Sequence, residues 1–167
     1  APTEVWLPGG AALELRAFGA EGQGVNWYTS AGSITPFGRT ATLYVPERGG
    51  DVTVRAQLQS DANVLATATV HVFGGQLTPS VTTLKPGEST TLSWLNAEQF
   101  DITWSATGGT INGAGSTVTS TAPETEGEYH VTAQAVGEPY AASARVFVTS
   151  KELATILYYA DSFVGTD

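Results

Sequence analysis

Shifted by 77 residues, the chain falls on itself: Trp27 lands on Trp104, Gly32 on Gly109 and Ile34 on Ile111. The register holds without a gap from Val25 to Gln57, where 12 of 33 positions are identical, Gly38, Thr40, Thr42, Pro46, Glu47, Gly50, Val54, Ala56 and Gln57 among them. Leu7 and Leu15 fall on Leu84 and Leu92 at the same shift, and after one deletion Val70 and Val72 fall on Val146 and Val148. A period of this size is too long for a solenoid turn and about right for a small self-contained domain. The expectation is therefore two copies of one unit, residues 1–74 and 75–150, meeting at Gly74-Gly75, followed by an unrepeated tail, residues 151–167.

Inside each copy the hydrophobic period is two. Val52, Val54 and Ala56 alternate with Thr53, Arg55 and Gln57, and Tyr129, Val131 and Ala133 alternate with His130, Thr132 and Gln134, which is the mark of half-buried strands. Similar alternation at Leu13 to Ala17, Ala66 to Phe73 and Ala142 to Val148, with Gly, Pro, Asn and Asp between, gives six or seven short strands per copy. Threonine occurs 24 times and lysine only at Lys85 and Lys151, a composition that suits strands and turns rather than surface helices. Two long stretches lack Asp, Glu, Lys and Arg, Ala62 to Leu84 and Ile102 to Pro123. Their glycines and threonines break the continuous apolar run that a bilayer span requires, so no membrane insertion is expected.

The Trp, Gly and Pro spacing over two copies resembles bacterial immunoglobulin-like domains, of the type that recurs in tandem in surface, secreted and phage accessory proteins. The resemblance covers about residues 3–150 and implies an all-β fold, two tandem immunoglobulin-like β-sandwiches with a short C-terminal tail. In that pattern a strand B cysteine precedes the strand C tryptophan and a Tyr-x-Cys closes on strand F. Here Leu15 and Leu92 each stand 12 residues before Trp27 and Trp104, and Val54 and Val131 take the strand F position, so apolar residues replace the disulfide. Tyr129 keeps the strand F tyrosine in the second copy, where the first has Val52. A tyrosine corner is expected in the second copy only.

Charge and motif content narrow the functional classes. A net charge of -9 repels phosphate and makes nucleic acid an unsuitable partner. Without cysteine there is neither a disulfide frame nor a thiolate metal site. The chain contains no Gly-x-Ser-x-Gly, His-Glu-x-x-His or phosphate-loop motif, and its two imidazoles, His71 and His130, lie on unrelated strands with expected outward-facing, solvated side chains. No catalytic residue, metal ligand or cofactor is assigned, and the chain is not expected to be an enzyme. Glu124, Glu126 and Glu128, with Asp101 or Glu138, are a weak candidate for calcium, because no Asp-x-Asp-x-Asp loop accompanies them.

Trp27 and Trp104, matched on inward-alternating strands, are expected in the cores, whereas Trp6 and Trp94 lack aromatic counterparts and are candidates for an interface. In the tail, Thr149-Ser150-Lys151-Glu152 fits a capping box, and Leu153, Ile156, Leu157, Ala160 and Phe163 recur at helical spacing, although an irregular strand fits about as well. Ile156, Leu157, Tyr158, Tyr159 and Phe163 are the candidate interaction residues. The opening Ala1-Pro2-Thr3, without Met, is expected of a segment whose preceding residues were removed, and loss of an export signal fits that.

Two functional readings follow. The first is a non-enzymatic structural or adhesive module of a cell-surface, filament or virion assembly, acting through protein–protein contacts with copies of itself or with neighbouring subunits or domains. The second is an accessory module of a larger secreted protein that binds a small ligand, carbohydrate or calcium. The resemblance implies an extracellular or cell-surface location, exported from a bacterium or associated with a virion.

Overall fold

Every regular element among residues 4–152, which the computed structural model describes, is a β-strand. The first seven are β1 (Glu4–Pro8), β2 (Ala12–Arg16), β3 (Val25–Thr29), β4 (Ser33–Phe37), β5 (Thr40–Tyr44), β6 (Gly50–Leu58) and β7 (Leu65–Phe73). The next seven are β8 (Gln76–Leu84), β9 (Ser89–Ser93), β10 (Ile102–Ala106), β11 (Thr110–Asn112), β12 (Thr117–Thr121), β13 (Gly127–Ala135) and β14 (Ala141–Val148). The bounds of β2, β3, β5 and β6 reappear 77 residues later as those of β9, β10, β12 and β13. The sequence repeat is thus a structural one.

In the first set, the sheet β2-β5-β4 faces the sheet β1-β7-β6-β3, with β1 parallel to β7 and the other pairs antiparallel. The second set has the same order, but β8 ties its two faces together. Arg145 to Val148 of β14 run parallel to Val81–Leu84 of β8, while Thr78 opposes Ser93 of β9, so the strands read β10-β13-β14-β8-β9-β12-β11. Both are immunoglobulin-like β-sandwiches.

The alternation places the cores. Leu43, Val45, Val52, Val54, Val70 and Val72 fill the first sandwich, with a small satellite of Ala20, Val25 and Ala56. The second core is continuous from Phe73 and Leu77 through Leu92, Trp94, Val118 and Val131 to Val148. At the positions of the absent disulfide, Leu92 and Val131 are buried, as is Val54, while Leu15 is half-buried. Trp27 and Trp104 pack against their cores and are half-buried; each indole Nε1 donates to a carbonyl 11 residues on, Gly38 at 3.0 Å and Gly115 at 2.8 Å. Gly32 and Gly109 sit at φ 72° and 80°, and a β-carbon there would come within 2.2 and 2.1 Å of the Tyr44 and Thr121 carbonyl oxygens. Only glycine fits both the backbone and the space. The expected tyrosine corner is present in the second sandwich, where Tyr129 Oη donates to the Thr125 carbonyl at 2.8 Å.

Candidate functional site

The two sandwiches meet through named contacts. Phe73, the last residue of β7, is buried in the core of the second sandwich, edge-on to Phe100 and Tyr140 with both ring centroids at 5.0 Å. Trp94 lies beside Phe100 and is 1% exposed; its Nε1 donates to the Gly74 carbonyl at 2.9 Å, so the indole proton is satisfied by the connecting chain rather than by water. Asn96, held at φ 61°, donates through Nδ2 to the Val72 carbonyl at 3.1 Å. Asparagine is one of the few side-chain-bearing residues that tolerate this left-handed backbone. Gly74 is wedged against the Glu47–Gly49 turn, where a β-carbon would fall 2.3 Å from the Gly49 nitrogen. Trp94, an interface candidate from sequence, is thus the buried centre of the junction.

Beside this junction, three first-sandwich residues stand in register across β1, β7 and β6: Trp6 opposite His71, and His71 opposite Asp51. The Trp6 and His71 rings stack at 4.7 Å, and His71 Nδ1 lies 2.8 Å from Asp51 Oδ1. His71 therefore points outward as expected but is not solvated: its side chain is 16% exposed because Trp6 covers it, whereas His130 is 51% exposed. The hydrogen bond from His71, helped by one from Asn96, holds the Asp51 carboxyl below the usual aspartate range. Trp6 itself remains 48% exposed.

Among the described residues, nothing covers the opposite end of the first sandwich. Ala17, Phe18, Gly19 and Ala20 stand at the repeat positions of Trp94, Leu95, Asn96 and Ala97, and Phe18 is 74% exposed. A groove lined by Leu15, Ala17, Trp27, Ala56, Ala66 and Ala68 opens between β2 and β7. Sequence reasoning missed this groove.

The remaining candidates separate. Glu126 accepts hydrogen bonds from the Ser150 amide and hydroxyl, which lower its pKa, and Glu128 lies 3.6 Å from His130 and 3.7 Å from Arg145. Lys85 pairs with Glu152 at the chain's exit, which raises the lysine pKa and lowers that of the glutamate. Among the described residues, no three His, Asp or Glu side chains gather around a metal-sized space, and no helix is long and apolar enough to cross a membrane. Ile156, Leu157, Tyr158, Tyr159 and Phe163 lie outside the described residues.

No family model matches the chain, and no curated protein matches it. Among solved structures it is similar to the D00-D0 domain of intimin, at 15% identity and TM-score 0.37 over 89% of this chain and 95% of that one. The titin Ig tandem domains A164-A165 give 15% identity and TM-score 0.37 over 87% and 92%. The Bacteroides ovatus mixed-linkage glucan utilization locus protein SGBP-B, solved with a mixed-linkage heptasaccharide, gives 13% identity and TM-score 0.36 over 86% of this chain; the match spans 42% of that protein's length.

Proposed function

We propose that the chain is a non-enzymatic structural module of the bacterial immunoglobulin-like type, two self-contained sandwiches divided near Gly74-Gly75 that act as one stiff segment of a surface, filament or virion assembly. The observation that carries this reading is the junction: an aromatic side chain of the first sandwich sits in the core of the second, and Trp94 and Asn96 bond back to the carbonyls of Gly74 and Val72. A flexible linker needs none of these contacts. A pair of domains fixed in this way transmits position and force along the chain, and recognition falls to its ends and edges. The acidic surface keeps such a segment soluble, and an extracellular or cell-surface location fits that role.

Residual dipolar couplings on the full chain test it, because they report whether the two sandwiches share one alignment. Asn96→Gly keeps the left-handed backbone available while removing the amide that bonds Val72 and Asp51. The expected result is a single alignment tensor for the wild-type chain and a measurable divergence between sandwiches in a double variant that also carries Trp94→Phe. Independent tensors in the wild-type chain would overturn the reading.

A further inference from the structure

Among the described residues, β3 is the outermost strand of its sheet and pairs only with β6. The Gln59 amide donates to the Gly24 carbonyl and the Ser30 amide to the Thr53 carbonyl, both at 3.0 Å. Bonded residues alternate along an antiparallel ladder. Asn26 and Tyr28 therefore also turn their main chain towards β6, whereas the amides and carbonyls of Val25 and Trp27 face away from it. On that side a cleft of about 480 Å³ lies between β3 and the Pro36 and Gly38 end of β4, a size that suits a small ligand. From Gly24 to Tyr28 the strand takes four steps, so the cleft edge is roughly 14 Å long.

The side chains at this edge hold one another in place. Gln59 Nε2 donates to Asn26 Oδ1 at 3.0 Å. The Gln59 side chain lies across Gly24, where a β-carbon would fall 2.1 Å from its Oε1. Asn26 is left with its amide hydrogens to donate and Gln59 with its oxygen to accept, side by side and exposed. Tyr28 is 43% exposed, and the Arg55 guanidinium carbon lies 4.6 Å from its ring centroid, which fixes the ring from one face. None of the residues lining the cleft is charged.

The second sandwich shows that the fold does not ask for these side chains. Its Val136 amide donates to the Asp101 carbonyl at 2.8 Å, the counterpart of the Gln59 bond to Gly24, so the backbone is the same. Yet Thr103, Ser105 and Val136 stand where the first copy has Asn26, Tyr28 and Gln59.

We propose that this cleft binds a neutral glycan chain, with Tyr28 stacking on a sugar ring and Asn26 and Gln59 bonding its hydroxyls. A pyranose has an apolar C–H face and a rim of hydroxyls that both donate and accept. An exposed aromatic ring beside a paired amide donor and acceptor matches both, and the outward amides and carbonyls of Val25 and Trp27 extend the polar edge. The net charge of -9 opposes an anionic glycan, and a cationic peptide meets no carboxylate among the lining residues. The site gives the module a ligand of its own, whether or not the two sandwiches share one alignment.

Affinity electrophoresis of the full-length chain tests it, in gels holding hydroxyethylcellulose, xylan, galactomannan or dextran. The expected result is retardation by at least one of these polymers, followed by calorimetry with a hexasaccharide of the same backbone. Asn26→Thr with Tyr28→Ser installs the residues that the same strand carries in the second copy, so the strand should still form. That double variant should weaken binding by about tenfold or more, the effect of losing a stacking ring and a hydroxyl bond. Gln59→Val should weaken it less, and Thr103→Ala with Ser105→Ala, at the matched site of the second sandwich, should leave it unchanged. Free migration in all four gels, or equal affinity in the β3 double variant, would overturn the proposal. So would protection of the Val25 and Trp27 amides from exchange that grows with protein concentration, because β3 would then be paired with a strand of a second copy. The couplings across the junction do not enter these measurements, so the two readings fail separately.

Discussion

The two sandwiches share a backbone plan and differ in how far their cores are closed. At matched positions the second has Trp94 where the first has Ala17, a fully buried Leu92 where Leu15 is half-buried, and sealed Ala142 and Ala144 where Ala66 is exposed and Ala68 half-buried. The first copy's large exposed side chains, Trp6, Phe18, Tyr28, Phe37 and Leu65 among them, have no equally exposed array in the second among the described residues. Among the described residues, homologous strands thus give a closed core where Trp94 and the first half of β8 cover it and a more open one where Ala17 stands at the place of Trp94. The hydrophobic pattern alone does not close a sandwich. Closure depends on what covers its ends and edges.

Paired deletions give the largest expected difference. Leu92→Ala should cost about 2–5 kcal/mol, the range for emptying a sealed core site, and Leu15→Ala about 1–2 kcal/mol, since part of that side chain already meets water. Hydrogen exchange at the Val131 and Val54 amides reads each sandwich separately. Equal losses would mean that the groove beside Leu15 is closed in solution and would break the comparison.

A smaller effect sharpens it. Tyr129→Phe removes the hydroxyl bond to Thr125 but keeps the ring, so the second sandwich should lose about 0.5–1.5 kcal/mol in urea denaturation. Val52, at the matched site, makes no such bond, and the first sandwich holds its β6 without one. A neutral result would place the value of the tyrosine in its ring alone.

What was legible in the sequence was whatever both copies need. The matched tryptophans bond to matched carbonyls, the matched glycines occupy matched turns, and four pairs of strands keep the 77-residue shift, because each of these is fixed by local backbone geometry. The junction was hidden because it belongs to one copy only. Trp94, Phe100 and Tyr140 stand where the first copy has Ala17, Gln23 and Val64, and Phe73 stands where the second has Thr149. Aromatics that break a repeat at one shared end were a readable signal of contact, since the fold of the unit does not require them. The solvated placement expected for His71 failed because period-two alternation gives a side chain's direction but not what the neighbouring strand lays over it.

Acid gives the smallest expected effect and separates the junction from the chain's exit. Asp51 and Glu126 both have lowered pKa values, the first chiefly through the His71 hydrogen bond and the second chiefly through the Ser150 hydroxyl. A carboxyl whose folded pKa lies below its unfolded value stabilises the fold above the unfolded value, about 3.9 for aspartate and 4.3 for glutamate, and that contribution disappears as pH falls through the folded pKa. Both sites should therefore weaken on acidification below about pH 4, with little change between pH 5 and 7 from these two groups. Both side chains are exposed, so the effect should be modest. Its location carries the information: Asp51→Asn should flatten the acid response of amides around Val72 and Asn96, and Glu126→Gln that of amides around Ser150. If Asp51→Asn left the acid response at Asn96 unchanged, the carboxylate would not be coupled across the junction, and the contact between the sandwiches would rest on the aromatics and the carbonyl bonds alone.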